Sequence, residues 1–178
     1  VVDPVTNSLR DTNLPELQEG SFASTLESAL QIPTLIENDV NLAAIGEEWK
    51  GRAAGLTKFV VMSVGTGTGM GIVVDGEIYR GATGAAGEIA RLPIGPEATG
   101  WQGNNGGLFE YTTSGSGILR QLETALEGST DPSPTKLVDV RDIFDAASAG
   151  VPEARHVLDH EAAQLALGVV AAAALLDP

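Results

Sequence analysis

The chain contains no cysteine, which removes disulfides and thiolate metal sites and is compatible with a reducing compartment. Cations are scarce: 10 Lys and Arg stand against 24 Asp and Glu, a net charge of −14. A surface of that sign repels phosphate backbones and anionic membranes, so this segment is not itself a nucleic-acid binder. Long hydrophobic runs are missing too. The longest, around residues 165–176, is alanine-rich, contains Gly168, and reads as too short and too weakly apolar to span a bilayer. No basic stretch followed by an apolar one opens the chain, so it shows no export signal, and the expected location is cytoplasmic, with no membrane partner. What is present is 178 residues, 43% hydrophobic and with 22 glycines, enough for one good core shared between two lobes.

Periodicity orders the chain as strands with glycine turns followed by helices. Val1-Val2-Asp3-Pro4 reads as a strand running into a turn, and residues 22–30 have helical spacing, so the opening looks like the end of an α/β unit whose beginning is missing. Thr34-Leu35-Ile36 reads as a short buried strand, with a helix over 40–50 capped by Asp39 or Asn41. A β-former run covers 58–64, and Asp75-Gly76 between apolar runs is a strong hairpin signal. Residues 81–107 are loop-rich. Helices are expected over 116–126, 139–149 and 152–176, with Gly150 ending one and Pro152 opening the next.

Three segments carry candidate chemistry. Asn38-Asp39 falls where a strand hands over to a helix. Such residues most often cap the helix, but a carboxylate and amide there can also pair with ligand hydroxyls or accept a hydroxyl proton. Gly65-Thr66-Gly67-Thr68-Gly69-Met70-Gly71 has four glycines and two threonines in seven residues, more than a hairpin needs. It lets the backbone approach a phosphate and aim N–H groups at it, yet it matches neither common phosphate-loop fingerprint. Glu88 follows seven small residues from Gly81, so nothing bulky shields it from a ligand. The alternative for Glu88, and for Glu110 after Gly106-Gly107-Leu108-Phe109, is a solvated loop glutamate.

The segments ENDVNLAAIGEEWKG from Glu37, VGTGTGMGIVVDGEIYRGATGAAGEIARLPIG from Val64 and GGLFEYTTSG from Gly106 together resemble the ROK family, named for repressors, open reading frames and kinases. The resemblance implies an α/β, two-lobed actin-like (RNase H-like) ATPase fold. Residues 1–37 would end the first lobe, and residues 38–178 would form an incomplete sugar-binding second lobe. It also implies that Asn38, Asp39, Glu88 and Glu110 bind sugar hydroxyls, that Asp39 is the base of a kinase reaction, and that Gly65, Thr66, Gly67, Thr68 and Gly69 face a phosphate.

The departures are informative. Kinases of the family carry a histidine and three cysteines around a zinc ion; these positions fall at Arg91, Trp101, Gly103 and Leu108, so no zinc is expected. Arg91 would then meet the sugar or pair with Glu88. The family's N-terminal phosphate loop and its C-terminal adenosine-binding strand do not occur, so ATP could not be fully held and the chain reads as an internal segment of a longer protein. ATP and Mg are therefore expected only in a kinase. The resulting expectation is the effector domain of a sugar-sensing repressor that binds a sugar or sugar phosphate, touches DNA through a domain outside this segment, and self-associates; the alternative is an ATP-dependent hexose kinase. His156 and His160, four apart on a helix, read as surface residues rather than metal ligands. Trp49 and Trp101 read as core or loop anchors, and 171–176 as buried helix at a subunit interface.

Overall fold

A computed structural model describes residues 1–3, 5–9, 22–94, 107–127 and 139–178. The chain forms two compact units: Val1–Met62 with Met70–Glu88 and Pro178, and Ser63–Gly69 with Ile89–Asp177.

In unit one, Val2 bridges Leu9 antiparallel, and the Asp3 carboxylate accepts the Val5 and Thr6 N–H groups at 2.9 Å, so a strand-like start does run into a turn. Helix α1 spans Phe22–Leu30, as the spacing predicts. Thr34-Leu35-Ile36 is not a strand, and Leu35 is 90% exposed. The donors a ladder would use go elsewhere: Thr34 N–H to Glu27 Oε1 at 2.9 Å and Ile36 N–H to Asn7 Oδ1 at 3.1 Å. Helix α2 covers Asp39–Lys50, but its cap is Asn38 rather than Asp39 or Asn41. Asn38 has the extended backbone a cap needs, φ −64° and ψ 141°, whereas the other two already lie inside the helix.

Strands β1 (Phe59–Val64), β2 (Thr68–Val74) and β3 (Glu77–Ile78) form a sheet in the order β1-β2-β3. β2 and β3 pair antiparallel with Val73 opposite Ile78, and the turn between them has Asp75 at φ 55° and Gly76 at φ 79°. Two positive φ angles in a two-residue loop match the twist of the flanking strands, which is why Asp-Gly is a reliable hairpin signal. Ala44, Ala53, Phe59 and Val73 make the buried apolar cluster of this unit. α2 lies directly on β2: a Cβ on Gly71 would stand 2.7 Å from Val40 O and 2.8 Å from Ala44 Cβ. Trp49 is no anchor; it is 75% exposed, with the Lys50 ammonium 5.5 Å from its ring centroid.

Unit two contains a 3-10 turn at Ile89–Arg91 and helices α3 (Leu108–Thr113), α4 (Gly115–Glu127), α5 (Val140–Ser148) and α6 (Pro152–Leu176). Ile118 and Leu122 of α4, Ile143 of α5, and Ala154 and Val157 of α6 form its core. Asp139 and Asp142 make a reciprocal capping box at the start of α5, and Gly150, at φ 89°, separates α5 from α6. The inward stripe of α6 runs through Ala154, Val157, Glu161, Gln164, Gly168 and Ala172 at helical spacing. That stripe leaves Ala173, Ala174 and Leu175 on the outer side, so 171–176 is mostly exposed rather than buried. By length and composition α6 is apolar enough to cross a membrane, contrary to the reading of its last half alone, and its polar Glu161 and Gln164 face inward. His156 is exposed; His160 is half-buried, with Nδ1 3.0 Å from Gln121 Oε1. The Gln121 amide donates to Thr112 O at 2.9 Å, so its oxygen faces the ring and His160 Nδ1 is the donor. Trp101 and Gly103 lie outside the described residues.

Candidate functional site

In unit one the candidate residues lie at two places, the start of α2 and the end of the loop after β3. Asn38 Oδ1 accepts the Val40 N–H at 2.9 Å and the Asn41 N–H at 3.3 Å, so capping occupies its oxygen and leaves its amide N–H groups to serve a ligand. Capping and ligand binding, alternatives in the sequence, are therefore compatible in one side chain. Asp39 is the first helical residue and exposed, with Oδ1 2.9 Å from the Val40 nitrogen. Beneath both sits Glu37. Its Oε1 accepts the Asn38 N–H at 2.9 Å and Asn41 Nδ2 at 2.8 Å, and its Oε2 accepts Arg80 Nε at 2.8 Å and Nη2 at 2.6 Å. Burial pushes the Glu37 carboxyl up, but the bonds from Asn41, Asn38 and Arg80, with the guanidinium charge, outweigh it and leave the group below its ordinary value.

Glu88 ends the loop that begins after Arg80. Ala86 N–H bonds to Arg80 O at 3.1 Å and Met70 N–H to Gly87 O at 3.0 Å, which closes the loop at both ends. Gly87, at φ 85°, is there because a Cβ would collide with Met70 O. Glu88 itself is half-buried.

In unit two the glycine-threonine loop and Glu110 are joined. Glu110 Oε2 accepts the Thr68 N–H at 3.2 Å, and Gly115 N–H bonds to Gly65 O at 2.8 Å. The Thr68 hydroxyl lies 2.9 Å from that of Thr113, which donates to Phe109 O at 2.7 Å. Thr113 has one proton and gives it to Phe109, so Thr68 is the donor in the threonine pair. Thr68 thus anchors the loop inward, while Gly65 and Thr66 are exposed. α3 brings Glu110 here because Leu108 and Phe109 are core plugs on its other side. Arg91, the last residue of the 3-10 turn, is exposed.

The positions that would ligate zinc in the resembling kinases do not fit a metal. Arg91 offers a cation, and Leu108, 2% exposed, is an apolar residue in the core. Among the described residues no group of three His, Asp or Glu side chains converges as a metal site. In the glycine-threonine loop the Thr68 N–H donates to the anionic Glu110 Oε2 at 3.2 Å, so that donor is already taken by a carboxylate.

Sequence reasoning passed over Glu37 and Arg80, read Asn41 only as a possible helix cap, and missed α3. A lone Glu before Asn-Asp and a lone Arg closing a hairpin were visible, but their pairing across 43 positions was not.

The ROK family model matches residues 1–178. The chain belongs to the ROK family. A glucokinase of Halalkalibacterium halodurans is 36% identical over 164 residues, covering 86% of this chain and 48% of that protein. A xylose repressor of Caldicellulosiruptor bescii is 26% identical over 166 residues, covering 90% of this chain and 42% of the repressor. Among solved structures, the ROK hexokinase from Thermus thermophilus superposes with a TM-score of 0.82 at 29% identity, covering 99% of this chain and 56% of the hexokinase. The ROK chain thus spans about half the length of that glucokinase, and less of the repressor. Its fold is the α/β actin-like ATPase class expected from the sequence. ROK relatives of both kinds, kinase and repressor, match it.

Proposed function

We propose that this ROK chain is the sugar-binding effector domain of a sugar-responsive transcriptional regulator. In unit one, Asn38, Asp39 and Glu88 are the proposed hydroxyl-binding groups; in unit two, Glu110 and Arg91 are. The supporting observation is the pair Arg91 and Leu108: where zinc-dependent kinases of this family are expected to place metal ligands, this chain has a cation and a buried core leucine. With those ligands gone, the segment AGEIARLPIG from Ala86 resembles the family's regulators more than its kinases. DNA is contacted by a domain outside this chain, whose own charge of −14 is unsuited to the task. Residues 1–37 as part of a first lobe and 38–178 as the sugar-binding second lobe, a cytoplasmic location and self-association belong to the same proposal. Sugar alters DNA affinity only if it binds one conformation of the whole protein more tightly than another. Electrophoretic shift of DNA flanking the protein's own gene, with and without a panel of aldoses, amino sugars and their phosphates, tests it. A shift that no sugar changes overturns it.

A second reading is a hexose kinase, favoured by the 36% identity to a glucokinase and by the exposed carboxylate of Asp39 at the start of α2. Asp39 would accept the proton of the attacking hydroxyl, and the backbone N–H groups of Thr66, Gly67 and Gly69 would hold phosphate on a loop closed by the Gly65 N–H on Gly67 O and anchored by Thr68. ATP, with Mg, supplies the transferred phosphoryl group. Phosphate transfer from ATP to hexoses that is abolished by Asp39→Asn would establish this reading in place of the first.

A further inference from the structure

We infer that Glu37 and Arg80 are the positioning residues for the hydroxyl-binding groups of unit one, a role that rests on the sugar-binding reading above. Glu37 is not a ligand group itself. Its two oxygens accept four N–H donors, two from Arg80 and one each from Asn38 and Asn41, which uses the acceptor sites a carboxylate has. What it does is hold its neighbours. The bond to the Asn38 backbone fixes the extended residue from which α2 starts, and the bond to buried Asn41 fixes the first turn of that helix. Asn38 and Asp39 sit between those two fixed points.

The other end of the hub is Arg80. Its guanidinium also bonds Ile78 O at 3.3 Å, so the side chain is tied to β3, and its own carbonyl accepts the Ala86 N–H at 3.1 Å inside the loop that ends at Glu88. Gly81, at φ 70°, turns the chain immediately after it, with Ala86 Cβ 3.2 Å from the place of a Cβ. One ion pair therefore links the segment carrying Asn38 and Asp39 to the segment carrying Glu88, across 43 positions of sequence. Neither residue belongs to the apolar cluster of Ala44, Ala53, Phe59 and Val73 that packs α2 on the sheet. The hub's distinctive contribution is to the relative placement of hydroxyl-binding groups, for which errors of an ångström cost heavily.

The experiment is calorimetric titration of sugars into the whole protein, using the panel above, for the parent, Glu37→Gln, Arg80→Ala, Arg80→Lys and the Glu37→Gln/Arg80→Ala double variant, with thermal melting of each. Expected are sugar affinities weaker by roughly tenfold to a hundredfold in each of Glu37→Gln and Arg80→Ala, a double variant no weaker than the worse single, and partial recovery in Arg80→Lys. The bound-state losses should not track the melting temperatures. Affinities within about twofold of the parent in Glu37→Gln and Arg80→Ala, or losses that simply add in the double variant, overturn the inference. Asp39→Asn and Glu88→Gln separate the two levels. If the parent binds sugar and these weaken it while the Glu37 and Arg80 variants do not, the positioning role alone is wrong. If the parent binds no sugar, the sugar-binding reading is wrong and the positioning role falls with it.

Discussion

Glu110 Oε2 accepts the backbone N–H of Thr68 at 3.2 Å, and a Cβ on Gly67 would stand 2.7 Å from that same oxygen. The carboxylate proposed to bind a sugar hydroxyl is thus seated on the loop proposed to face phosphate, and Gly67 is what lets it approach. Gly67→Ala should push the end of the Glu110 side chain aside. The displaced atoms are the tip of a flexible, half-exposed side chain, so the fold should lose less than about 1 kcal/mol. Sugar affinity should fall by roughly tenfold, equivalent to about 1.4 kcal/mol of lost interaction. Titration and chemical denaturation of the variant measure both quantities, and an unchanged affinity would show that the Glu110 position set by Gly67 is irrelevant to binding.

How much of this was legible in the sequence depended on whether the signal was local. Pro152 and Gly150 mark the start of α6 and the end of α5 because each acts through its own backbone geometry, and Asp75-Gly76 gave the hairpin for the same reason. The three motif segments were found because their residue types are unusual over short stretches. α3 was not found. Its six residues are too few to show a period, and the structure makes them helical by burying Leu108 and Phe109. Thr34-Leu35-Ile36 looked like a strand by composition, yet its backbone donors are taken by the side chains of Glu27 and Asn7. The partnership of Glu37 with Arg80 is tertiary and leaves no local trace. The lean toward a regulator over a kinase came from the missing zinc ligands at Arg91 and Leu108, since the motifs this chain retains are shared by both kinds of ROK protein.

Gly168 faces the ring of Phe109, so closely that a Cβ would overlap Phe109 Cζ. α6 and α3 touch through this contact, and Phe109 is fully buried. Gly168→Ala should destabilise by about 1–3 kcal/mol through overpacking, and Phe109→Ala by about 3–5 kcal/mol through the cavity it leaves. The smaller ring-free side chain of Phe109→Leu should relieve part of the Gly168→Ala cost when the two are combined. Denaturant melts of the singles and the pair check this, and strictly additive losses would mean that the two residues do not press on each other.

Glu37 predicts a weakness at acid pH. Its carboxyl lies below the ordinary value in the folded chain, so it contributes stability above the ordinary value of 4.5 and loses it as pH falls through the lower folded value. Glu37→Gln should therefore be less stable than the parent near neutrality, with the difference shrinking toward zero in strong acid. Melting temperatures of both proteins from pH 7 down to about pH 3 provide the comparison; a gap that does not narrow would locate the effect in lost packing rather than lost charge.

Glu161 carries the opposite sign. It is 4% exposed on the inward side of α6, both of its oxygens and Oε1 of Gln164 lack hydrogen-bond partners, and burial raises its carboxyl to about 7. An unfolded glutamate titrates at its ordinary value of 4.5, so folding takes up a proton between 4.5 and about 7. The folded chain is unpenalised below 4.5, loses stability progressively through that window, and bears the full cost of a buried unpaired charge above it. Glu161→Gln keeps the shape and removes the charge. It should stabilise the protein above pH 7 by on the order of 3 kcal/mol and make little difference below pH 4.5. Urea denaturation of parent and variant at pH 5 and at pH 8 measures the two slopes. A variant that loses as much stability as the parent between those conditions would place the proton uptake on some other group.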